Sequence, residues 1–197
     1  MTTRGSLKVA VEGSTDAALI RTLAGKDLSA HMRLFVAQGQ ASLGSVGRNL
    51  LVHEGGPVLL VMDSDTRNRQ KVEEMRSMAR MVMSSIATAG FTISSASPPL
   101  FDVFVFVPEI EVVFFEAPDV LRRLLGDAVT EDRLWQGVRS PKETLSQLLR
   151  ESDKLSNHAA LLGAASEPDV AEALALGQQA SALVETIKLM TSEPVAR

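Results

Sequence analysis

A chain of 197 residues with 45% hydrophobic and 22% charged residues lies in the ordinary globular range, long enough for one well-buried core and unlike a disordered, fibrous or membrane-embedded chain. No window approaches the roughly 18 consecutive apolar residues of a spanning helix, and the start MTTRGSLKVAVEG carries neither an apolar signal core nor a cleavage site, so a cytoplasmic protein without a membrane partner is expected. The formal net charge of −4 argues against a simple polycationic nucleic-acid binder, and the absence of cysteine removes disulfides, thiolate zinc sites and cysteine nucleophiles together. Any metal must then be held by oxygen, because the three histidines, at 31, 53 and 158, show no ligand spacing.

Leu7 to Val11 is a short aliphatic run followed by Glu12-Gly13, the pattern of a buried strand ending in a tight turn. The segment STDAALIRTLAGKDL then places Ala17, Leu19, Ile20 and Leu23 on a helical stripe, with Ser14 or Thr15 as cap and Gly25 near the end. Arg33 to Ala37 predicts a second strand, and Gln38 to Asn49, with Gly39, Gly44 and Gly47, a loop leading into a short helix. After a turn at His53-Glu54-Gly55-Gly56, the almost purely apolar run from Pro57 to Met62 predicts a central parallel strand covered on both faces, ending in Asp63-Ser64-Asp65. Residues 67 to 89 form a long amphipathic helical pattern. Phe91 to Ser97 predicts a short strand and Phe101 to Val107 a stronger one, broken by Pro108. A helix is expected from about Glu109, interrupted near Pro118 and resumed to Leu125, followed by helices over Pro141 to Leu155 and Pro168 to Met190. Alternating strands and helices imply an α/β fold with a mainly parallel sheet flanked by helices, over residues 1–125, and a helical extension over 126–197 that packs on it.

In such sheets, sites collect at the carboxyl ends of the strands. Glu12 ends one predicted strand, Asp63 and Asp65 another, and Glu109 and Glu111 follow a third. Acids from three remote stretches therefore share one rim, with the two aspartates of Asp63-Ser64-Asp65 expected to leave an extended backbone on the same side. Asp16, four residues beyond Glu12, either joins them as a ligand or simply favours the helix N-terminus. So many like charges disfavour one another's ionisation, a conflict that a hard cation such as Mg2+ or Mn2+ resolves.

The sequences VEGSTD at 11 to 16 and VMDSDT at 61 to 66 resemble the Toprim domain of topoisomerases, primases and OLD-family nucleases, and the OLD-like members more closely than primases. In that comparison Glu12 is similar to the motif glutamate, Asp16 to a second acid of OLD-like sequences, and Asp63 and Asp65 to the aspartate pair. VPEIEVVFFE at 107 to 116 is similar to the later glutamate segment of small stand-alone Toprim-like proteins, with Glu111 preferred over Glu109 as ligand. The resemblance runs to about residue 120, and the C-terminal helices fall outside it. It implies magnesium- or manganese-dependent phosphodiester hydrolysis of DNA or RNA, in phage defence or DNA repair. Glu12, Asp63 and Asp65 are its implied catalytic residues, with Glu12 or a metal-activated water as base. No Walker A motif occurs in the chain, so an ATPase partner is expected to be a separate protein or absent, and a homo-oligomer is compatible with the sequence. The chain has no tyrosine, which excludes a tyrosyl phosphodiester intermediate on this polypeptide.

Each residue also has a plainer reading. Asp-x-Asp alone also occurs in HAD-type phosphatases, glycosyltransferases and surface turns, although a HAD aspartate pair follows the first strand, where this chain has Glu-Gly. Arg67, Arg69 and Lys71 either bind phosphates beside the metal or form a solvated helix start. Glu116 and Asp119 read as solvation of a helix break, the histidines as surface or packing residues, and Trp135 as a packing anchor with base stacking as its alternative. The rival functions are a non-catalytic Toprim-like subunit that binds metal or another protein, and a small-molecule phosphatase.

Overall fold

The structure, a computed structural model, describes residues 6–87 and 101–192. In chain order its elements are β1 (Leu7–Val11), α1 (Ser14–Ser29), β2 (Met32–Val36), α2 (Gln40–Asn49), β3 (Val58–Asp63), α3 (Arg69–Ala87) and β4 (Phe101–Phe106). Seven helices follow: α4 (Val112–Phe115), α5 (Pro118–Leu125), α6 (Glu131–Arg139), α7 (Pro141–Glu151), α8 (His158–Ala165), α9 (Pro168–Ala175) and α10 (Gln178–Thr191). Among the described residues the strands make one wholly parallel sheet in the order β2-β1-β3-β4.

The chain steps from β1 outward to β2, then back across β1 to β3 and on to β4. Right-handed crossovers require such a reversal to put α1 on one face and α2 with α3 on the other. Side-chain alternation along the strands agrees. Leu7, Val9 and Val11 of β1 and Leu59 and Val61 of β3 enter a core shared with Leu19, Ile20 and Leu23 of α1 and with the C-terminal helices. Ala10, Val58, Leu60, Val103 and Val105 face the opposite layer, with Leu43 of α2 and Val72 and Met83 of α3. The sheet is thus buried on both faces, which is why β3 reads as an uninterrupted apolar run. Leu145, Leu161, Val170, Leu183 and Ile187 belong to the same apolar cluster as β1, so the helices beyond Leu125 share a core with the sheet. No helix of the described residues is long and apolar enough to cross a membrane.

Several local expectations are corrected. The short helix expected after a loop within Gln38 to Asn49 takes up nearly the whole stretch, Gln40–Asn49. A Cβ on Gly47 would lie 2.4 Å from Leu60 Cδ2, so this glycine lets the helix approach the sheet closely. A five-residue π-helical turn, Leu50–Glu54, precedes the turn at Gly55-Gly56. Helix α1 runs past Gly25, where the backbone turns to φ +66°, and continues to Ser29. Its N-cap is Gly13, with Ser14 already helical. The pattern over 168 to 190 is two helices divided at Gly177, and α6 and α8 had no counterpart in the sequence reading. The strand expected over Phe91 to Ser97 lies outside the described residues.

Candidate functional site

The reversal of strand order between β2 and β3 leaves a crevice at the carboxyl ends of the adjacent strands β1 and β3. Because Ala10 pairs with Leu60, Glu12 arrives level with the end of β3, and its Oε1 accepts a hydrogen bond from Asp63 N–H at 3.1 Å. Asp16 sits in the first turn of α1, where its Oδ2 accepts from Gly13 N–H at 2.8 Å. Asp63 Oδ1 accepts from Ile110 N–H at 2.9 Å, which binds the end of β3 to the loop after β4. That loop turns through a cis Val107–Pro108 bond and is stitched on by Ser64 N–H and Asp65 N–H, both donating to Pro108 O, at 2.9 and 3.0 Å. The Ser64 hydroxyl is buried and donates to Thr66 O at 2.7 Å.

Asp65 departs from the expected geometry. Its φ of +50° is left-handed, so the backbone across Asp63-Ser64-Asp65 is bent, not extended. The Asp65 side chain is exposed, yet close enough to Glu12 for its charge to push the Glu12 carboxyl upward.

Glu111 is the most deeply placed of the acids. The residue is only 5% exposed, and its Oε2 is buried with no hydrogen-bond partner. Glu109, two residues before it, is otherwise engaged: its Oε2 accepts from Lys142 N–H at 3.0 Å, at the first turn of α7. The charges act on one another across the crevice. Burial, then the charges of Glu111, Asp16 and Glu12, push Asp63 from its ordinary 3.8 up to about 8. Burial is also the main cause that raises Glu12 and Glu111 above the usual carboxylate range. At Lys142 burial works to lower the ammonium, but Glu111, Glu109, Asp63 and Asp16 together outweigh it and hold it above its ordinary value.

Glu12, Asp16, Asp63, Asp65, Glu109 and Glu111 therefore line one rim, as three separated sequence motifs. Among the described residues no three acidic or histidine side chains are gathered tightly enough to grip a metal ion as they stand. The donor chemistry nevertheless fits a hard divalent cation: the groups are all oxygen, they raise one another's affinity for protons, and one buried carboxylate oxygen has no partner. Of the three cations flanking the aspartate pair, Arg67, Arg69 and Lys71 are all exposed, and Arg67 reaches away to donate to Val138 O at 3.2 Å.

Lys142 and Gln40 went unread in the sequence. Gln40, in the first turn of α2, donates from Nε2 to Asp63 O at 3.0 Å. Lys142 carried one signal: a cation in the first turn of a helix opposes the macrodipole, and after Pro141 at N1 it needs an acidic partner elsewhere. Glu116, expected as simple solvation, instead accepts from Gln179 N–H at 2.8 Å and caps α10. Trp135 is no packing anchor, being 69% exposed.

Gln179 fastens the rim from behind. Its side chain accepts from Val107 N–H at 2.8 Å and donates to Val107 O at 2.9 Å, imitating a neighbouring strand just where β4 gives way to the Glu109–Glu111 loop. Gln179→Ala leaves both backbone groups half-buried and unpaired, and is expected to cost about 1–3 kcal/mol in urea denaturation.

No protein-family model matches the sequence, and no curated protein matches it. Among solved structures the chain is similar to the C-terminal region of the Burkholderia pseudomallei OLD protein, at TM-score 0.52 and 18% identity over 95% of this chain and 99% of that one. It also aligns with the C-terminal region of the Xanthomonas campestris pv. campestris OLD protein, at TM-score 0.45 and 14% identity over 96% and 98%. The first likeness extends into the C-terminal helices, beyond the stretch that carries the sequence motifs. The chain has the α/β, Toprim-like fold of the C-terminal region of OLD proteins.

Proposed function

We propose that this chain is a Mg2+- or Mn2+-dependent nuclease that hydrolyses phosphodiester bonds of DNA or RNA at the carboxyl end of its sheet, with a separate ATPase chain as partner and a role in phage defence or DNA repair. The observation that carries the reading is the unpartnered, buried Oε2 of Glu111 in a crevice where Asp63 is pushed to about 8, a penalty on ionising these acids that a divalent cation offsets. The fold shared with the OLD region supports it at the level of architecture.

Glu12, Asp63 and Glu111 would hold the cation, with Asp16 and Asp65 completing the oxygen set, while Glu109 keeps the first turn of α7 against the site. When bound, the metal supplies a Lewis acid for the phosphate and lowers the pKa of water. Glu12, whose Oε1 accepts from Asp63 N–H, also serves as the proton acceptor on this chain. The Lys142 ammonium stays charged and faces the same acids, a fixed positive group for phosphate oxygens that gather negative charge in the transition state. Arg69 and Lys71 meet the flanking phosphates from the exposed start of α3, with Arg67 beside them.

The test is cleavage of plasmid DNA and of RNA with Mn2+ or Mg2+. Wild-type protein is expected to cut, and Asp63→Ala to lose at least about 100-fold in rate. Calorimetric metal binding without cleavage of either polymer would establish the non-catalytic subunit instead. Turnover of p-nitrophenyl phosphate in preference to polynucleotides would establish the phosphatase.

A further inference from the structure

Trp135 is the only tryptophan of the chain, and large aromatic rings are ordinarily withdrawn from water. Here the ring is 69% exposed on α6, with the Arg139 guanidinium 5.2 Å from its centroid, one turn further along the helix. Exposure alone is unremarkable. Three other features make this a built surface. The helix is tied to α7 elsewhere, where Arg133 donates to Gln147 at 2.7 Å and pairs with Glu151. Its last turn and the start of α7 each contact a segment that carries the acids. Arg67, two residues after Asp65, donates to Val138 O at 3.2 Å, and three residues beyond Arg139 the Lys142 N–H donates to Glu109. Finally, among the described residues neither Arg67 nor Arg139 forms an ion pair, although the chain as a whole carries a net charge of −4.

An aromatic face backed by a guanidinium, with unpaired cations alongside, complements a nucleobase attached to a phosphate chain. We propose that Trp135 and Arg139 form a stacking platform for an unpaired base of the strand whose phosphodiester lies in the acid crevice. This rests on the nuclease reading above and adds a preference for single-stranded, frayed or end-exposed nucleic acid. Within an intact duplex each base is covered on both faces by its neighbours, so only an unpaired or terminal base presents a free face to the indole. Arg139 holds the ring in place and faces the backbone phosphates with Arg67.

The chain has one tryptophan and no tyrosine, so its intrinsic emission above 300 nm reports this ring alone. An unlabelled oligo-dT of about 15 nucleotides, titrated in calcium-containing buffer, is expected to quench that emission saturably, whereas a relaxed, covalently closed circular duplex, which has no ends, leaves it nearly unchanged. Anisotropy of a labelled oligo-dT measures binding independently. Trp135→Ala should weaken it about 5- to 150-fold, Trp135→Phe should retain most of it, and Arg139→Ala should shift it in the direction of the alanine variant at 135. Oligo-dT binding seen by anisotropy, with unquenched emission and an unchanged Trp135→Ala affinity, overturns the platform and leaves the nuclease reading standing. No binding of single strand or duplex by wild-type protein overturns both.

Discussion

Asp63→Asn is expected to raise the melting temperature of the metal-free protein at pH 8, while abolishing metal-dependent cleavage. The carboxyl has an ordinary value of 3.8 and is held at about 8 in the fold, first by burial and then by Glu111, Asp16 and Glu12. Between these two values the folded chain binds more protons than the unfolded one, so the group's contribution to stability falls as pH rises and is fully unfavourable above about 8. A shift of this size sets an upper limit of roughly 5 kcal/mol, and relaxation of the neighbouring acids leaves an expected gain of about 2 kcal/mol, or about 4–8 °C. Asparagine keeps an oxygen to accept from Ile110 N–H. Thermal melts of both proteins with chelator, from pH 4 to pH 8, test this: the difference should vanish near pH 4 and widen upward. Added Mn2+ should raise the wild-type midpoint and leave the variant nearly still, closing or reversing the gap. A variant less stable than wild type across the whole range would remove the charge argument.

The largest loss is expected from Gly137→Ala. A Cβ at this position in α6 would fall 1.9 Å from Cε1 and 2.0 Å from Cδ1 of Phe115, an aromatic ring buried in the core that has no slack to yield. Either α6 lifts or Phe115 leaves its rotamer, at a cost of about 3 kcal/mol or more. The midpoint should drop by roughly 6–12 °C. Gly163→Ala in α8 is the matched control, because nothing lies within 4 Å of its would-be Cβ, and there alanine should be neutral or stabilising by up to about 1 kcal/mol. Equal melts for the two variants would contradict the packing described. Since α6 leads directly into Lys142, surviving Gly137→Ala protein should also cut more slowly than its folded fraction accounts for.

The α/β class was legible because β1 and β3 are nearly pure aliphatic runs that end abruptly in acids, as parallel strands must when they are covered on both faces and open onto a polar rim. The same abruptness exposed Glu12, Asp63 and Asp65. What stayed hidden depends on partners distant in the chain. Gly47 and Gly137 look like helix breakers locally, yet each exists for one large side chain, Leu60 or Phe115, that no window of sequence displays. Helix α6 did offer a cap, with Thr130 Oγ1 accepting from Arg133 N–H at 3.3 Å, but a nine-residue helix gives little periodicity. The nearly all-aliphatic α8 has no polar face to mark it. Lys142 shares a crevice with Glu12 across 130 positions, a separation that single-chain patterning does not register. The bend at Asp65 follows from its clasp on the Pro108 carbonyl, itself a tertiary contact.

Val107 waits 72 residues for Gln179, its hydrogen-bonding counterpart. During translation the ribosome releases β1, β3 and β4 well before α10, so every parallel strand is in hand while the latch behind Glu109 and Glu111 is still being made. A nascent chain can therefore pair its strands before the segment that carries Glu109 and Glu111 is fastened from behind.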